Sequence, residues 1–206
     1  MKLIHVTEGL ALTDYLALEL ETVRSIQEPT LFTWIVSPTV IFGRHQSAEV
    51  EVNEEYCRQN HIDIVQRKSG GGCVYADRGN LMISYISPST HSELVFTDFL
   101  QLIRSILAAK SIPAVTTEHN DILVDGKKIS GWACYTTPTG TIVHGTMLFD
   151  VNIEALQHAI TPTQDKLEKH GVASVRQRVA NLKELTDAFD SIEDLRSYIE
   201  HSALQR

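Results

Sequence analysis

Apolar residues recur with helical spacing near the start of the chain. Leu12, Leu16, Leu20 and Val23 stand three or four apart, which is one face of a helix over residues 10–26, and Pro29 stops it. Two apolar runs follow, Leu31 to Val36 and Thr39 to Phe42, separated by Ser37-Pro38; this pattern predicts the two strands of a hairpin. A short helix over 54–59 and a strand over 62–66 come next. Beyond Ser69-Gly70-Gly71-Gly72 lie strand-like runs at 73–75 and 81–86. Thr90 with Glu93 forms a capping box ahead of a helix whose Phe96, Phe99, Ile103, Ile106 and Leu107 share a face. Strand patterns return at 122–124, 128–135 and 142–151, turning at Asp125-Gly126 and Pro138-Thr139-Gly140. Asp-Gly between two strand runs is a strong hairpin signal. From Ile153 onward the chain reads as short helices, the last over 191–201. Hairpin-linked strands with helices in blocks predict an α+β fold, a mainly antiparallel or mixed sheet with flanking helices. A doubly wound nucleotide fold is disfavoured.

Composition narrows the class. The 206 residues fit a single domain spanning 1–206, with a mostly helical C-terminal part from about 153. At 43% hydrophobic and 21% charged, the chain has a globular profile. Its apolar runs are far shorter than the roughly 18 residues of a membrane span, and its first residues lack the apolar core of a secretory signal. Cys57, Cys73 and Cys134 make no complete disulfide set and no CxxC pair, so a reducing cytoplasm is the expected setting. A net charge of −8 argues against nucleic acid as a partner. Nothing in this composition points to a membrane.

Three segments carry candidate chemistry. Arg67-Lys68-Ser69-Gly70-Gly71-Gly72-Cys73-Val74-Tyr75 strips side chains from one stretch of backbone. Its N–H groups then lie open to a phosphate or carboxylate beside two cationic side chains. No GK[ST] follows at Walker spacing, and GxGxxG is missing. A mobile hairpin tip with solvated basic residues explains the same segment. In Asn120-Asp121-Ile122-Leu123-Val124-Asp125-Gly126-Lys127-Lys128, strand alternation sends Lys127 and Lys128 to opposite faces, so that one can point inward toward an anion. An exposed charge at a turn is the commoner outcome. His144-Gly145-Thr146 opens a further strand, where a lone histidine is more often structural than catalytic.

Taken together and in order, these segments resemble the lipoate–protein ligase family. Arg67…Ser69-Gly70-Gly71-Gly72-x-Val74-Tyr75-x-Asp77…Gly79-Asn80 is similar to its glycine-rich signature. Asn120-Asp121-Ile122…Gly126-x-Lys128-Ile129-Ser130-Gly131-x-Ala133 resembles its lysine motif, and His144-Gly145-Thr146-x-Leu148 its substrate-side strand. Gly43-Arg44-x-Gln46 with Glu51 and Asn53, and Ser174-Val175-Arg176-x-Arg178-Val179-x-Asn181-Leu182, match two further segments. The resemblance runs from about residue 10 to 187.

The resemblance implies a catalytic domain of the biotin/lipoate ligase type and a two-step reaction with ATP and Mg²⁺. Lipoate attacks the α-phosphate to give lipoyl-AMP, and a lysine of an acceptor protein then displaces AMP. The acceptors implied are lipoyl domains of 2-oxoacid dehydrogenases or the glycine cleavage H protein. By resemblance Lys128 is catalytic, Arg67 binds phosphate or the acyl carbonyl, and Ser69, Gly70, Gly71, Gly72, Cys73, Val74 and Tyr75 line the nucleotide site. Asn80, Ser130, Gly131, Ala133 and His144 complete it, and Asp121 is a ribose or Mg²⁺ contact. The chain departs from the family at Ala76, where His is usual, and at Cys73 and Cys134. Those thiols also admit a cofactorless octanoyl or lipoyl transferase. The cysteine such enzymes place before the lysine strand has no counterpart in Ala114-Val115-Thr116-Thr117-Glu118-His119, which favours the ligase. A non-catalytic subunit holding lipoyl-AMP or the acceptor is the third reading. About twenty residues follow Leu185, so the expectation is a catalytic domain without the family's C-terminal accessory domain, working alone or with a separate accessory protein.

Overall fold

The computed structural model describes residues 1–117, 121–160 and 179–205. Asn120, Glu118, His119 and the Ser174, Val175, Arg176 and Arg178 positions of the downstream motif lie outside that set. Ten strands and six α-helices are described: β1 Lys2–Leu3, α1 Leu12–Arg24, β2 Thr30–Trp34, β3 Thr39–Phe42, α2 Ala48–Glu51, α3 Glu54–Gln59, β4 Asp63–Gln66, β5 Val74–Ala76, β6 Asn80–Ser87, α4 Ser92–Ala108, β7 Val115–Thr116, β8 Asp121–Val124, β9 Lys127–Thr137, β10 Gly140–Leu148, α5 Ile153–Ala159 and α6 Ile192–Leu204. The α+β class expected from the sequence is the one observed. A seven-stranded sheet has the order β1-β2-β6-β10-β9-β8-β7, and a three-stranded sheet the order β4-β3-β5.

The large sheet is buried on both faces. Leu81 and Ile83 point toward α4 and α6, joining Phe99, Ile103, Leu195 and Ile199. Their neighbours Met82 and Ile86 point the other way, to Leu12, Tyr15 and Val23 of α1. Apolar residues on both faces erase the alternation that would have marked a half-buried strand.

Two expectations are corrected. The runs on either side of Ser37-Pro38 are strands, but not a hairpin: β2 pairs with β1 and β6 in the large sheet, whereas β3 pairs with β4 and β5 in the small one. The link carries the chain from one sheet to the other. The α4 helix is capped one residue late: His91 stands at the N-cap and no side chain caps it, so the Thr90–Glu93 box does not form. The Asp125-Gly126 hairpin does form. Both residues have positive φ, 49° and 73°, as a type I′ turn requires, and β8 pairs antiparallel with β9. Among the described residues no helix is long and apolar enough to cross a membrane.

Candidate active site

The glycine-rich segment is not a hairpin tip. β4 and β5 lie on opposite sides of β3, so residues 67–73 cross the end of β3 and reach toward the large sheet. Arg67 shapes this crossing. Its Nε donates to Ser69 Oγ at 3.0 Å and its Nη1 to the Ile41 carbonyl at 3.0 Å. Its Nη2 donates to the carbonyls of Gly70 and Gly72 at 2.8 and 2.6 Å. Burial pushes the guanidinium pKa down from its ordinary value, and the nearby Cys73 thiol acts the other way; arginine stays charged all the same. The loop is therefore held around a fixed buried cation.

The Gly43-Arg44-x-Gln46 segment backs the loop. Gln46 closes its own turn, accepting at Oε1 from the Gly43 N–H at 2.9 Å, and the Arg44 N–H donates to the Ser69 carbonyl at 3.0 Å. A Cβ at Gly43 would stand 2.4 Å from the Gly71 carbonyl oxygen, so only glycine allows this approach.

Lys128 enters from the other side, on β9. Its Nζ lies 2.8 Å from Asp121 Oδ1, and the two side chains are 33% and 22% exposed. Asp121 faces Gly131 across the β8–β9 ladder, beyond a register shift at Ile122/Leu123. A Cβ on Gly131 would sit 3.1 Å from Lys128 Nζ, so this glycine makes room for the lysine to lie across the sheet. The backbone of Lys128 is fixed too, its carbonyl accepting from the Ala180 N–H at 3.0 Å.

Between these walls lies a cavity of about 320 Å³, within the size range of small-molecule sites. Part of its lining is apolar, from Leu12, Leu16, Trp34, Ile41 and Met82. The same cavity carries Arg67, Asp121, Lys128 and His144, with Gly71 and Gly72. A lining of this mixed kind fits a molecule that has both an apolar part and an anionic group.

Of the residues implied by resemblance, the cavity gathers Arg67, Gly71, Gly72, Cys73, Val74, Asp121, Lys128, Gly131, Ala133 and His144. Five others stand behind its wall. Ser69 is buried against His144 and Arg67, and Gly70 serves through its carbonyl. Tyr75 packs with Val40, Cys57 and Leu156; burial and the neighbouring Asp77 raise its phenol pKa. Asn80 donates to the Tyr75 carbonyl at 3.3 Å, and Ser130 accepts from Trp132 Nε1 at 2.8 Å.

Sequence reasoning missed Trp34, Ile41 and Met82, because a residue lining a cavity and a core residue leave the same apolar signal. It also missed Glu19, only 2% exposed. Here a signal was available. Leu12, Tyr15 and Val23 line the buried face of α1, and Glu19 stands four residues from both Tyr15 and Val23, a charge on the apolar face.

The chain matches the lipoyl protein ligase A/B catalytic domain over residues 5–203. It is 35% identical over 195 residues to lipoate-protein ligase LplJ of Bacillus subtilis, an alignment covering 93% of this chain and 57% of that one. It spans 47% of a lipoate–protein ligase of Streptococcus pyogenes, at 38% identity over 164 residues and 77% of this chain. The chain thus spans about half the length of the curated relatives it matches. Among solved structures, a lipoate-protein ligase A bound with ATP superposes with a TM-score of 0.85 at 26% identity, covering 99% of this chain and 85% of the other. The five motifs, the cavity that gathers three of them and these matches agree, and the chain belongs to the lipoyl protein ligase A/B catalytic domain family.

Proposed function

We propose that this chain catalyses ATP-dependent attachment of lipoic acid to a lysine of a lipoyl domain, through lipoyl-AMP. The observation that carries the reading is Lys128, a part-exposed cation in a cavity whose lining also holds apolar side chains and two glycines of the Ser69–Gly72 loop. The relatives' names support it, as does the ATP bound to the ligase A structure. A structural study of a bi-partite ligase from Thermoplasma acidophilum with its E2 lipoyl domain supports the class of acceptor; that structure matches at TM-score 0.82 and 27% identity over 98% of this chain and 82% of the other.

A carboxylate and an amine form a salt at neutral pH, so one carboxylate oxygen must first become part of a leaving group. In the first step a lipoate oxygen attacks the α-phosphorus of ATP, forming the mixed anhydride and expelling pyrophosphate. Two anions must approach each other, and Lys128 lies where it can bridge them once its ammonium leaves Asp121. Arg67 supplies fixed positive charge behind the loop, and the Gly70 to Tyr75 stretch assigned to the nucleotide meets the cavity at Gly71, Gly72, Cys73 and Val74. In the second step the acceptor amine attacks the acyl carbonyl, the amide forms and AMP departs. Lys128 and His144 are the side chains that meet that carbonyl, Gly131 and Ala133 line the cavity with them, and Asn80 and Ser130 brace the wall from behind.

No cluster of three or more His, Cys, Asp or Glu able to hold a metal occurs among the described residues. That suits Mg²⁺, which usually takes one or two carboxylates plus substrate phosphate and water; Asp121 is the carboxylate in reach. When bound, the ion offsets charge on the departing pyrophosphate. A reducing, cytoplasmic setting fits the three cysteines, none of them in a disulfide.

Mass spectrometry of an apo lipoyl domain after incubation with the chain, ATP, Mg²⁺ and lipoate reads out the adduct. Because the T. acidophilum enzyme is bi-partite, a second polypeptide is the first addition to make if no adduct forms. Lys128→Ala should lower lipoate-dependent ATP–pyrophosphate exchange by at least about 100-fold, the value of one preorganised charge-stabilising group. Its stability should stay within about 1 kcal/mol, since a part-exposed ion pair contributes no more. A folded Lys128→Ala protein with normal exchange would sink the proposal.

A further inference from the structure

Behind the cavity wall a hydrogen-bonded chain runs through buried polar side chains and converges on one carboxylate. Arg67 Nε donates to Ser69 Oγ at 3.0 Å, and Ser69 Oγ lies 2.6 Å from His144 Nε2. His144 Nδ1 lies 3.0 and 2.9 Å from the two oxygens of Glu19. From the opposite side Trp34 Nε1 donates to Ser84 Oγ at 2.9 Å, and Ser84 Oγ donates to Glu19 Oε1 at 2.6 Å. Glu19, Ser84 and Ser69 are 2%, 0% and 1% exposed.

The polarity of this chain is set by its ends. The guanidinium and the indole N–H can only donate, and an ionised carboxylate can only accept. Glu19 therefore fixes the proton of neutral His144 on Nδ1, which leaves Nε2 to accept from the Ser69 hydroxyl. Ser69 Oγ then offers its lone pairs to Arg67, whose Nη2 holds the Gly70 and Gly72 carbonyls. Arg67, Trp34 and His144 border the 320 Å³ cavity; Glu19 does not, lining instead a separate cavity of about 210 Å³.

We infer that Glu19 is a positioning residue: it sets the tautomer of His144 and, through Ser69 and Arg67, the geometry of the glycine loop that receives ATP. This rests on the ligase reading for its kinetic consequence, though not for its structural one. A glutamine at 19 keeps the shape and replaces one acceptor with a donor. With the amide nitrogen at the Oε2 position, Nδ1–H keeps only Oε1 at 3.0 Å, an oxygen that Ser84 also uses, so the Nε2–H form, which accepts from the amide at Nδ1, gains population. With the amide turned over, the buried Ser84 hydroxyl loses its acceptor instead, at a cost of about 1–3 kcal/mol.

The test is Glu19→Gln, with Ser84→Ala as the companion that removes the other donor to Glu19 but leaves the His144 arm whole. Nitrogen-15 shifts of labelled histidine, assigned with His144→Gln, read the tautomer without reference to activity. Wild type should show the Nδ1–H form, and Glu19→Gln should gain the Nε2–H form. In ATP–pyrophosphate exchange, kcat/KM for ATP should fall about 10- to 100-fold, the range for removing the partner that orients a site ligand, mostly through KM. Ser84→Ala should retain the wild-type tautomer and most of the ATP affinity. An unshifted tautomer in Glu19→Gln with unaltered kinetic constants overturns the inference. So does a lower melting temperature with unaltered kinetic constants, or an equal rise in KM for ATP in Ser84→Ala. If wild type exchanges no pyrophosphate, the ligase reading and the kinetic half of this inference fail together, while the nitrogen shifts still test the relay.

Discussion

Gly43→Ala should separate activity from stability. The added methyl carbon would lie 2.4 Å from the Gly71 carbonyl oxygen and 3.3 Å from the Gly70 and Gly71 carbonyl carbons. An unstrained carbon–oxygen contact is about 3.4 Å, so the loop backbone must retreat by about 1 Å. Gly43 is buried in the turn that Gln46 closes, whereas Gly71 and Gly72 are exposed, so the loop gives way. Its retreat strains the Arg67 bonds to Gly70 and Gly72, now 2.8 and 2.6 Å. Overpacking costs about 1–3 kcal/mol, and the yielding side here is open to solvent, which places the cost near the lower figure. In a chain of this length that lowers Tm by about 2–4 °C. Displacing a substrate-positioning group by about 1 Å costs on the order of 100-fold in rate, or about 2.7 kcal/mol of transition-state stabilisation. Thermal melting and lipoate-dependent ATP–pyrophosphate exchange on the same preparation give both numbers. Full exchange activity in Gly43→Ala would refute the claim that the loop's position matters, and a drop of tens of degrees in Tm would refute the claim that the loop is the part that moves.

Two further outcomes concern stability. Asn181→Ala should cost about 2–4 kcal/mol, because Asn181 is buried, accepts from the Val151 N–H at 2.8 Å and donates to the Val151 carbonyl at 3.0 Å; a urea titration measures it. Burial raises the pKa values of Cys57, Cys134, Tyr75 and Tyr85. The folded chain thus keeps protons that the unfolded chain releases above about pH 8.5, so stability should fall as pH rises through that window, giving a lower urea midpoint at about pH 10 than at about pH 8. For the same reason Cys57, fully buried, should resist alkylation until the protein unfolds.

What the sequence made legible followed from local physics. Helical spacing located α1 and α4, Asp125-Gly126 located a hairpin, and three glycines marked the loop. Which strands pair was not legible at β2 and β3. Ser37-Pro38 between two apolar runs is a local turn signal, but β2 is buried along its whole length and carries no alternation to name its face. The role of Arg67 was half legible. Its charge and its place beside the glycines are in the motif, but its bond to the Ile41 carbonyl joins residues that only the packing of β3 against β4 brings together. Glu19 and His144 are 125 residues apart, and no spacing rule links them.

The two cations at the cavity differ in what it would take to move them. Arg67 is 7% exposed and makes hydrogen bonds to Ser69, Ile41, Gly70 and Gly72. Turning it toward a substrate would leave the buried Ser69 hydroxyl and Ile41 carbonyl without those donors, each at a cost of about 1–3 kcal/mol, and would free the part-buried bonds to the Gly70 and Gly72 carbonyls. Lys128 is ion-paired to Asp121 among the described residues, and its side chain is 33% exposed. An ion pair that open to water contributes at most about 1 kcal/mol. An incoming carboxylate or phosphate can therefore take the Lys128 ammonium from Asp121 at little cost, while Arg67 stays with the loop. The division suits the proposed reaction, in which charge migrates: a fixed cation would shape the site through both half-reactions, and a releasable one would follow the negative charge from the attacking carboxylate to the departing phosphate.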